Sequence, residues 1–387
     1  MNVINININR LLHLLDLYRL SKEDLLLRIN EGVKKAISEN DIFRTEVKLS
    51  YLKKIDEIFN KGLSYYIDPT NLKKSKEESI FFRKNKFNAE LNLGAKQIVT
   101  QFEEEKISLS VLSKLSDLKI DRILPFYTVK NDSKKVAHEI RESLYPVFNK
   151  DLKEFLKSLI NKFAEYNIFV FEFIETWNKK EKANINGFYL SPNVIVLKRQ
   201  QKSLRREIFT LVHELGHYLL NEEEIDETVN EDLLNYQSLS QIEQWCNDFA
   251  YYFLVGDLNN RIINLEKASE KNDYHITTIE SISEKTNLST FALYTRLLIN
   301  NKISSSDYKN VSSELYIAYL EKEEKAKKKR ELDKEEGRES NARAAKPIQS
   351  PLFVKTIQTA FIEGIISETE FCQRMNIKAD KIDKYFQ

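Results

Sequence analysis

The chain has 387 residues, a formal net charge of +1, 42% hydrophobic and 31% charged residues. This suits a globular protein with more than one core and excludes a globally basic nucleic-acid binder, though not a local basic patch. Two cysteines cannot build a disulfide framework or a C-x-x-C metal pair, and only 8 Gly and 6 Pro favour helices over a sandwich or barrel.

The N-terminal stretch, Met-Asn-Val-Ile-Asn-Ile-Asn-Ile-Asn-Arg10, interleaves Asn with apolar residues. It lacks the basic start and continuous apolar core of a secretory signal, and no run approaches the ~18 apolar residues of a membrane span. A cytoplasmic location is the resulting expectation. Residues 1–68 are read as a helical domain. Leu11, Leu12, Leu15 and Tyr18 make a stripe at helical spacing, Ser21-Lys-Glu-Asp24 reads as a capping start, and Leu49, Leu52, Ile55, Ile58 and Phe59 fall on one later helix. This order resembles the helix-turn-helix domains of phage-type repressors, which makes DNA a candidate partner. The recognition helix would then lie near 38–48, a stretch poor in base-reading side chains and carrying acids that phosphate repels. The alternative is a docking module of the same shape.

Residues 69–165 are read as a linker, with the basic run Lys73-Lys-Ser-Lys76, followed by a helical region. Residues 166–300 change character. Asn167-Ile-Phe-Val-Phe-Glu-Phe-Ile174, Phe188-Tyr-Leu190 and Asn193-Val-Ile-Val-Leu197 predict three short antiparallel strands. Val194, Ile195, Val196 and Leu197 are the predicted edge strand, which would bind a substrate backbone by strand addition. A helix over about 203–221 follows, then another over 240–256, and two shorter ones near 276–300 with a helix–turn–helix outline better explained as packing. Residues 301–347 are dominated by Lys, Glu and Arg, a solvated helix extension or linker; 348–387 is a small helical module.

The 203–221 helix carries His213-Glu214-Leu-Gly-His217, two of only five histidines. An H-E-x-x-H spacing puts both imidazoles on one helical face, where they can share one Zn²⁺, with Glu214 placed to act as general base on a water. The plain alternative is that both histidines are packed core residues. A catalytic zinc normally takes a third protein ligand. Glu223 stands at metzincin spacing but without the turning Gly, so Glu222 to Glu224 read as a solvated acidic end. Glu243, on the next helix, is the better candidate, with Asn247 one turn on to hold a ligand imidazole. Against this, Glu243 could be a solvated helix residue. Cys246, close in helical phase, reads as a small buried residue rather than a thiolate ligand.

Phe209-Thr-Leu-Val-His-Glu-Leu-Gly-His-Tyr-Leu-Leu220, then Glu243-x-x-Cys-Asn-x-Phe-Ala-x-x-Phe-Leu254, resembles the ImmA/IrrE metallopeptidase family. Asn186-Gly187-Phe188 and Arg205-Arg206 share the likeness. Cys246 departs from the family's usual Ala, and Val255-Gly256 from its Met-Pro. The resemblance implies an α+β, predominantly α-helical protein: a zincin-like peptidase core with a small three-stranded antiparallel sheet, flanked by helical domains. It implies one Zn²⁺ on His213, His217 and Glu243, and a protein substrate, a helix-turn-helix transcriptional repressor in prophage, mobile-element or stress regulation. A His₂-carboxylate set also accepts Mn²⁺ or another divalent ion. Two other functions fit the same residues: a non-proteolytic DNA- or repressor-binding regulator with a structural metal, and the protease of a toxin–antitoxin or phage-defence pair. Oligomeric state is not legible.

Overall fold

The computed structural model describes residues 3–70, 91–175, 181–199, 201, 203–225, 239–335 and 346–386. Contacts divide the chain into two units, Met1–Glu103 and Glu104–Gln387. The five finer segments anticipated above stay an expectation. No described helix is long and apolar enough to cross a membrane.

The first unit is built on the stripes its sequence announces. Helices Ile8–Tyr18 and Leu49–Phe59 bury Leu11, Leu15, Leu52, Ile55 and Phe59. Ser21 and Asp24 form a reciprocal cap on helix Lys22–Asn30: the Asp24 N–H donates to Ser21 Oγ at 3.0 Å and the Ser21 N–H to Asp24 Oδ2 at 3.1 Å. The expected recognition helix at 38–48 is not there. Those residues give a single turn, Glu39–Ile42, and a strand, β2 (Glu46–Lys48), paired antiparallel with β1 (Val3–Asn5). The reason is local alternation: Val47 is fully buried opposite Ile4 while Glu46 is exposed, a period of two that a helix cannot satisfy. The basic run Lys73–Lys76 lies outside the described residues.

In the second unit, β3 (Phe169–Phe173), β4 (Gly187–Leu190) and β5 (Val194–Lys198) form one sheet in the order β3-β5-β4. The expectation of three antiparallel strands is corrected. β4 and β5 are antiparallel, with Phe188 opposite Val196, whereas β3 and β5 run parallel, with Phe169 opposite Val194. β5 is therefore the central strand. Val194, Ile195, Val196 and Leu197 are buried and hydrogen-bonded on both sides, so they offer no free edge to a substrate. Strand length and apolar content predicted the strands, but pairing order depends on contacts across the sheet that periodicity does not encode.

The helix Leu204–Leu220 packs on β4 and β5 and, on its other side, against helix Gln241–Val255. Helix Ser133–Leu144 covers the second of these from behind, where Arg141 bonds the Phe253 carbonyl and Trp245 Nε1–H donates to the Asn131 carbonyl at 2.8 Å. Ile279, Ile282, Leu293 and Leu297 from helices Ile276–Thr286 and Thr290–Ile299 join the same core, so that pair is packing, as expected. The charged segment forms a helix, Ser305–Glu335, and helices Pro351–Ile362 and Glu368–Met375 make up the C-terminal end.

Behind the sheet lies a buried ionic cluster. Glu172 Oε2 accepts the Ile348 N–H at 2.6 Å and lies 3.4 Å from Arg199 Nε, and Arg199 also pairs with Glu207. Burial pushes the Glu172 pKa up to about 7, against the pull of the Ile348 N–H and Arg199. A carboxyl with a raised folded pKa binds its proton more tightly folded than unfolded. Stability should therefore fall as pH rises between the ordinary carboxylate range and about 7. Urea midpoints at pH 5 and pH 8 should show this. Glu172→Gln, which keeps an acceptor for Ile348, should shrink the difference by on the order of 2 kcal/mol. An unchanged difference would remove Glu172 as its source.

Candidate metal centre

Two capped helices bring the site together. Ser203 Oγ accepts the Arg206 N–H at 3.2 Å and starts the helix that carries His213, Glu214 and His217. Asn221, in the left-handed conformation at φ 52°, ends it. Ser240 Oγ accepts the Glu243 N–H at 3.1 Å, which fixes Glu243 in the first turn of its helix, where the helix N-terminus favours an anion.

The two helices meet at Gly216 and Cys246. A Cβ on Gly216 would stand 3.0 Å from Cys246 Sγ and 3.1 Å from its Cα. Any larger residue at 216 would push the Glu243 helix away from the histidines. Gly187 does the same on the sheet side: a Cβ there would lie 2.8 Å from Thr210 Cγ2 and 3.2 Å from Glu214 Oε1. Both glycines are needed for close approach of neighbouring elements.

His213 Nε2 and His217 Nε2 are 3.1 Å apart; Glu243 Oε2 is 3.2 Å from the first and Oε1 3.1 Å from the second. These three residues are a group able to hold a metal ion among the described residues. An ion at ~2.0–2.1 Å from each donor in tetrahedral geometry separates the donors by roughly 3.3–3.4 Å, so the set needs little adjustment. The tautomer fits as well. His217 Nδ1 lies 3.2 Å from the Glu222 carbonyl, which can only accept, so Nδ1 carries the proton and Nε2 presents a lone pair. Burial by itself would lower the His217 pKa, but Cys246 and Glu243 outweigh it and hold it well above the ordinary value. The pocket thus favours a positive charge between its donors, and a proton and a metal ion compete for it.

Glu214 is 5% exposed, and its Oε2 has no hydrogen-bond partner among the described residues. Burial pushes its pKa up to about 7; His217 and His213 pull it down and Glu243 adds to the rise. A carboxyl poised near neutrality beside an ion site suits a general base that must later return its proton.

Other expected residues fall differently. Asn247 lines the cleft with His213 and Glu214 but makes no hydrogen bond to either imidazole; the carbonyl of Glu222 fills that role for His217. Glu223 is not a solvated end. It is buried, and its Oε1 accepts the Ser191 N–H at 2.7 Å, tying the loop after the helix to the β4–β5 turn. Cys246 is fully buried against Gly216, as a small core residue, and burial pushes its thiol up to about 12 despite His217. Sequence reading missed Gly187 and Gly216 as spacing residues. Their signal was present: each glycine lies in a regular element that would otherwise favour a side chain.

Residues 165–298 match the family model Peptidase_M78, described as an IrrE N-terminal-like domain. No curated protein matches the chain. The sheet, the H-E-x-x-H helix and the Glu243 helix all lie within the matched stretch, so this part of the chain is similar to the IrrE N-terminal-like peptidase domain.

Proposed function

We propose that this protein is a zinc-dependent endopeptidase acting on a cytoplasmic protein, with a helix-turn-helix repressor as the substrate that the family resemblance implies. The observation that supports it is the convergence of His213, His217 and Glu243 within 3.1–3.2 Å beside a buried carboxylate oxygen of Glu214 that bonds to nothing described. A purely structural ion would have no use for such a base.

A divalent ion held by the three ligands supplies Lewis acidity toward a water and the scissile carbonyl. Glu214 takes the proton of the attacking water and passes it to the leaving amine nitrogen. Its burial keeps the proton from bulk solvent between the two transfers. His217 is held in one tautomer by the Glu222 carbonyl, so its Nε2 stays a ligand throughout. The substrate backbone runs past Asn186 and Gly187, which line the cleft with Glu214 at the start of β4. β4, not β5, is the outer strand on that side of the sheet.

The test uses the full chain with zinc and peptides from a digested proteome. New cuts read by mass spectrometry should vanish with a strong chelator and return when zinc is restored in excess. Full activity after the metal has been stripped would sink the metal assignment. A loaded chain that cuts neither these peptides nor intact helix-turn-helix repressors would sink the peptidase reading.

A further inference from the structure

The cleft beside Glu214 opens into a cavity of about 390 Å³, inside the ~300–1,000 Å³ range of built ligand sites. Its walls are mainly apolar. Phe209 and Phe291 contribute, and so do Leu315, Tyr316 and Tyr319 of helix Ser305–Glu335. With Ser312 these last three stand at i, i+3, i+4 and i+7, one face of the helix. They also lie beyond the 165–298 stretch matched by the family model. The site therefore borrows a wall from a part of the chain outside the peptidase domain.

The cavity's arginines are engaged. Arg296 pairs with Asp248 at 2.6 Å and lies 4.0 Å from the centre of the Tyr251 ring; Arg205 donates to Ser283 Oγ at 2.7 Å; Arg206 has a partner too. Asp248 already neutralises Arg296, so an acidic side chain would find little uncompensated charge at that residue. Two buried polar atoms in the same walls lack partners among the described residues, Arg205 Nε and Ser312 Oγ. Buried donors of this kind call for an acceptor, which a peptide backbone carries and a hydrocarbon does not.

We propose that the cavity receives a bulky apolar side chain, aromatic or branched, from a substrate residue flanking the scissile bond, and that Leu315, Tyr316 and Tyr319 set this preference. The proposal rests on the peptidase reading and adds a substrate class to it.

One arm of the test needs no cleavage. Binding of N-acetyl-phenylalaninamide and N-acetyl-alaninamide to the full chain is compared by saturation-transfer NMR. The wild type should prefer the phenylalanine compound about tenfold or more, as burial of one large apolar side chain requires. Leu315→Trp, which fills the cavity, should bring the ratio close to one. Leu315→Ala, which widens it, should lower the ratio severalfold and serves if the Trp variant does not fold by circular dichroism. In the second arm, zinc-loaded chain cuts a proteome-derived peptide mixture. Bulky apolar residues should be enriched at one position beside the cut, and Leu315→Trp should shift that position toward Gly, Ala and Ser. Equal binding of the two amides by wild type, or an unchanged ratio in a folded variant, overturns the pocket. Cuts without apolar enrichment also overturn it while keeping the peptidase reading. A binding preference with no cuts supports the pocket and removes the peptidase reading instead.

Discussion

Glu214→Gln is expected to lower peptide cleavage by ~10²–10⁴-fold, the share a positioned acid–base group contributes, with bound metal unchanged. The amide keeps the shape of the side chain, so its place against Gly187 and Thr210 is preserved. It cannot take a proton from water. Because Glu214 Oε2 has no hydrogen-bond partner among the described residues, the substitution breaks no described bond at that atom. Folded stability should not fall, and above neutral pH it should hold or rise, since burying the ionised carboxylate there is costly. The pH profile gives a second readout. The base form is the active one, so the rate should rise as pH passes upward through the Glu214 pKa. That pKa is pushed up to about 7 by burial in the metal-free chain, and a bound cation moves it lower by favouring the carboxylate. Metal content, melting temperature and initial rates on one peptide decide the matter. Wild-type rates from the Gln protein would remove Glu214 as the base; loss of metal would make it a structural residue.

The parts of this site that were legible share one property: a local rule fixes them. Helical period places His213 and His217 on one face whatever the rest of the chain does. The helix starts near 203 and 240 were expected as well; the structure caps them with Ser203 and Ser240, and the second puts Glu243 in a first turn. Whether Glu243 and not Glu223 approaches the histidines is a different kind of fact. It depends on two helices meeting at Gly216 and Cys246, and on a turn that sends Glu223 to the Ser191 N–H. The sheet shows the same divide. Its strands follow from β-branched and aromatic runs, but the parallel pairing of β3 with β5 is a contact between segments distant in the chain. That pairing puts Val194–Leu197 in the middle and not at an edge. The missing recognition helix has a local part, the alternation of Glu46 and Val47, and a distant part, since the partner of β2 lies some forty residues earlier, at Val3–Asn5.

Glu243→Gln should weaken metal binding by more than ~100-fold, because loss of an outer partner alone typically costs ~10–100-fold and this change removes a ligand's charge. Cleavage at sub-saturating metal should fall with it. The fold should persist: the side chain is buried, but the helix is held by Cys246 against Gly216, Trp245 on the Asn131 carbonyl and Arg141 on the Phe253 carbonyl, none of which involves Glu243. Glu223→Gln is the control that separates the two carboxylates. Its Oε1 accepts the Ser191 N–H, away from the three metal ligands, and the change should leave metal affinity within a few fold. Titration of both variants with zinc against a competing chelator, alongside thermal melts, distinguishes the outcomes. If Glu223→Gln lost the metal and Glu243→Gln kept it, the two-helix site would be wrong. The pH dependence should follow the same donors. Metal must displace the proton that Glu243 and Cys246 favour on His217, so apparent affinity should rise with pH until that proton is gone. In Glu243→Gln the neutral amide no longer holds the proton as firmly, so this dependence should shift to lower pH even as the affinity drops. A merely structural role for Glu243 would move neither the affinity nor the position of that pH dependence.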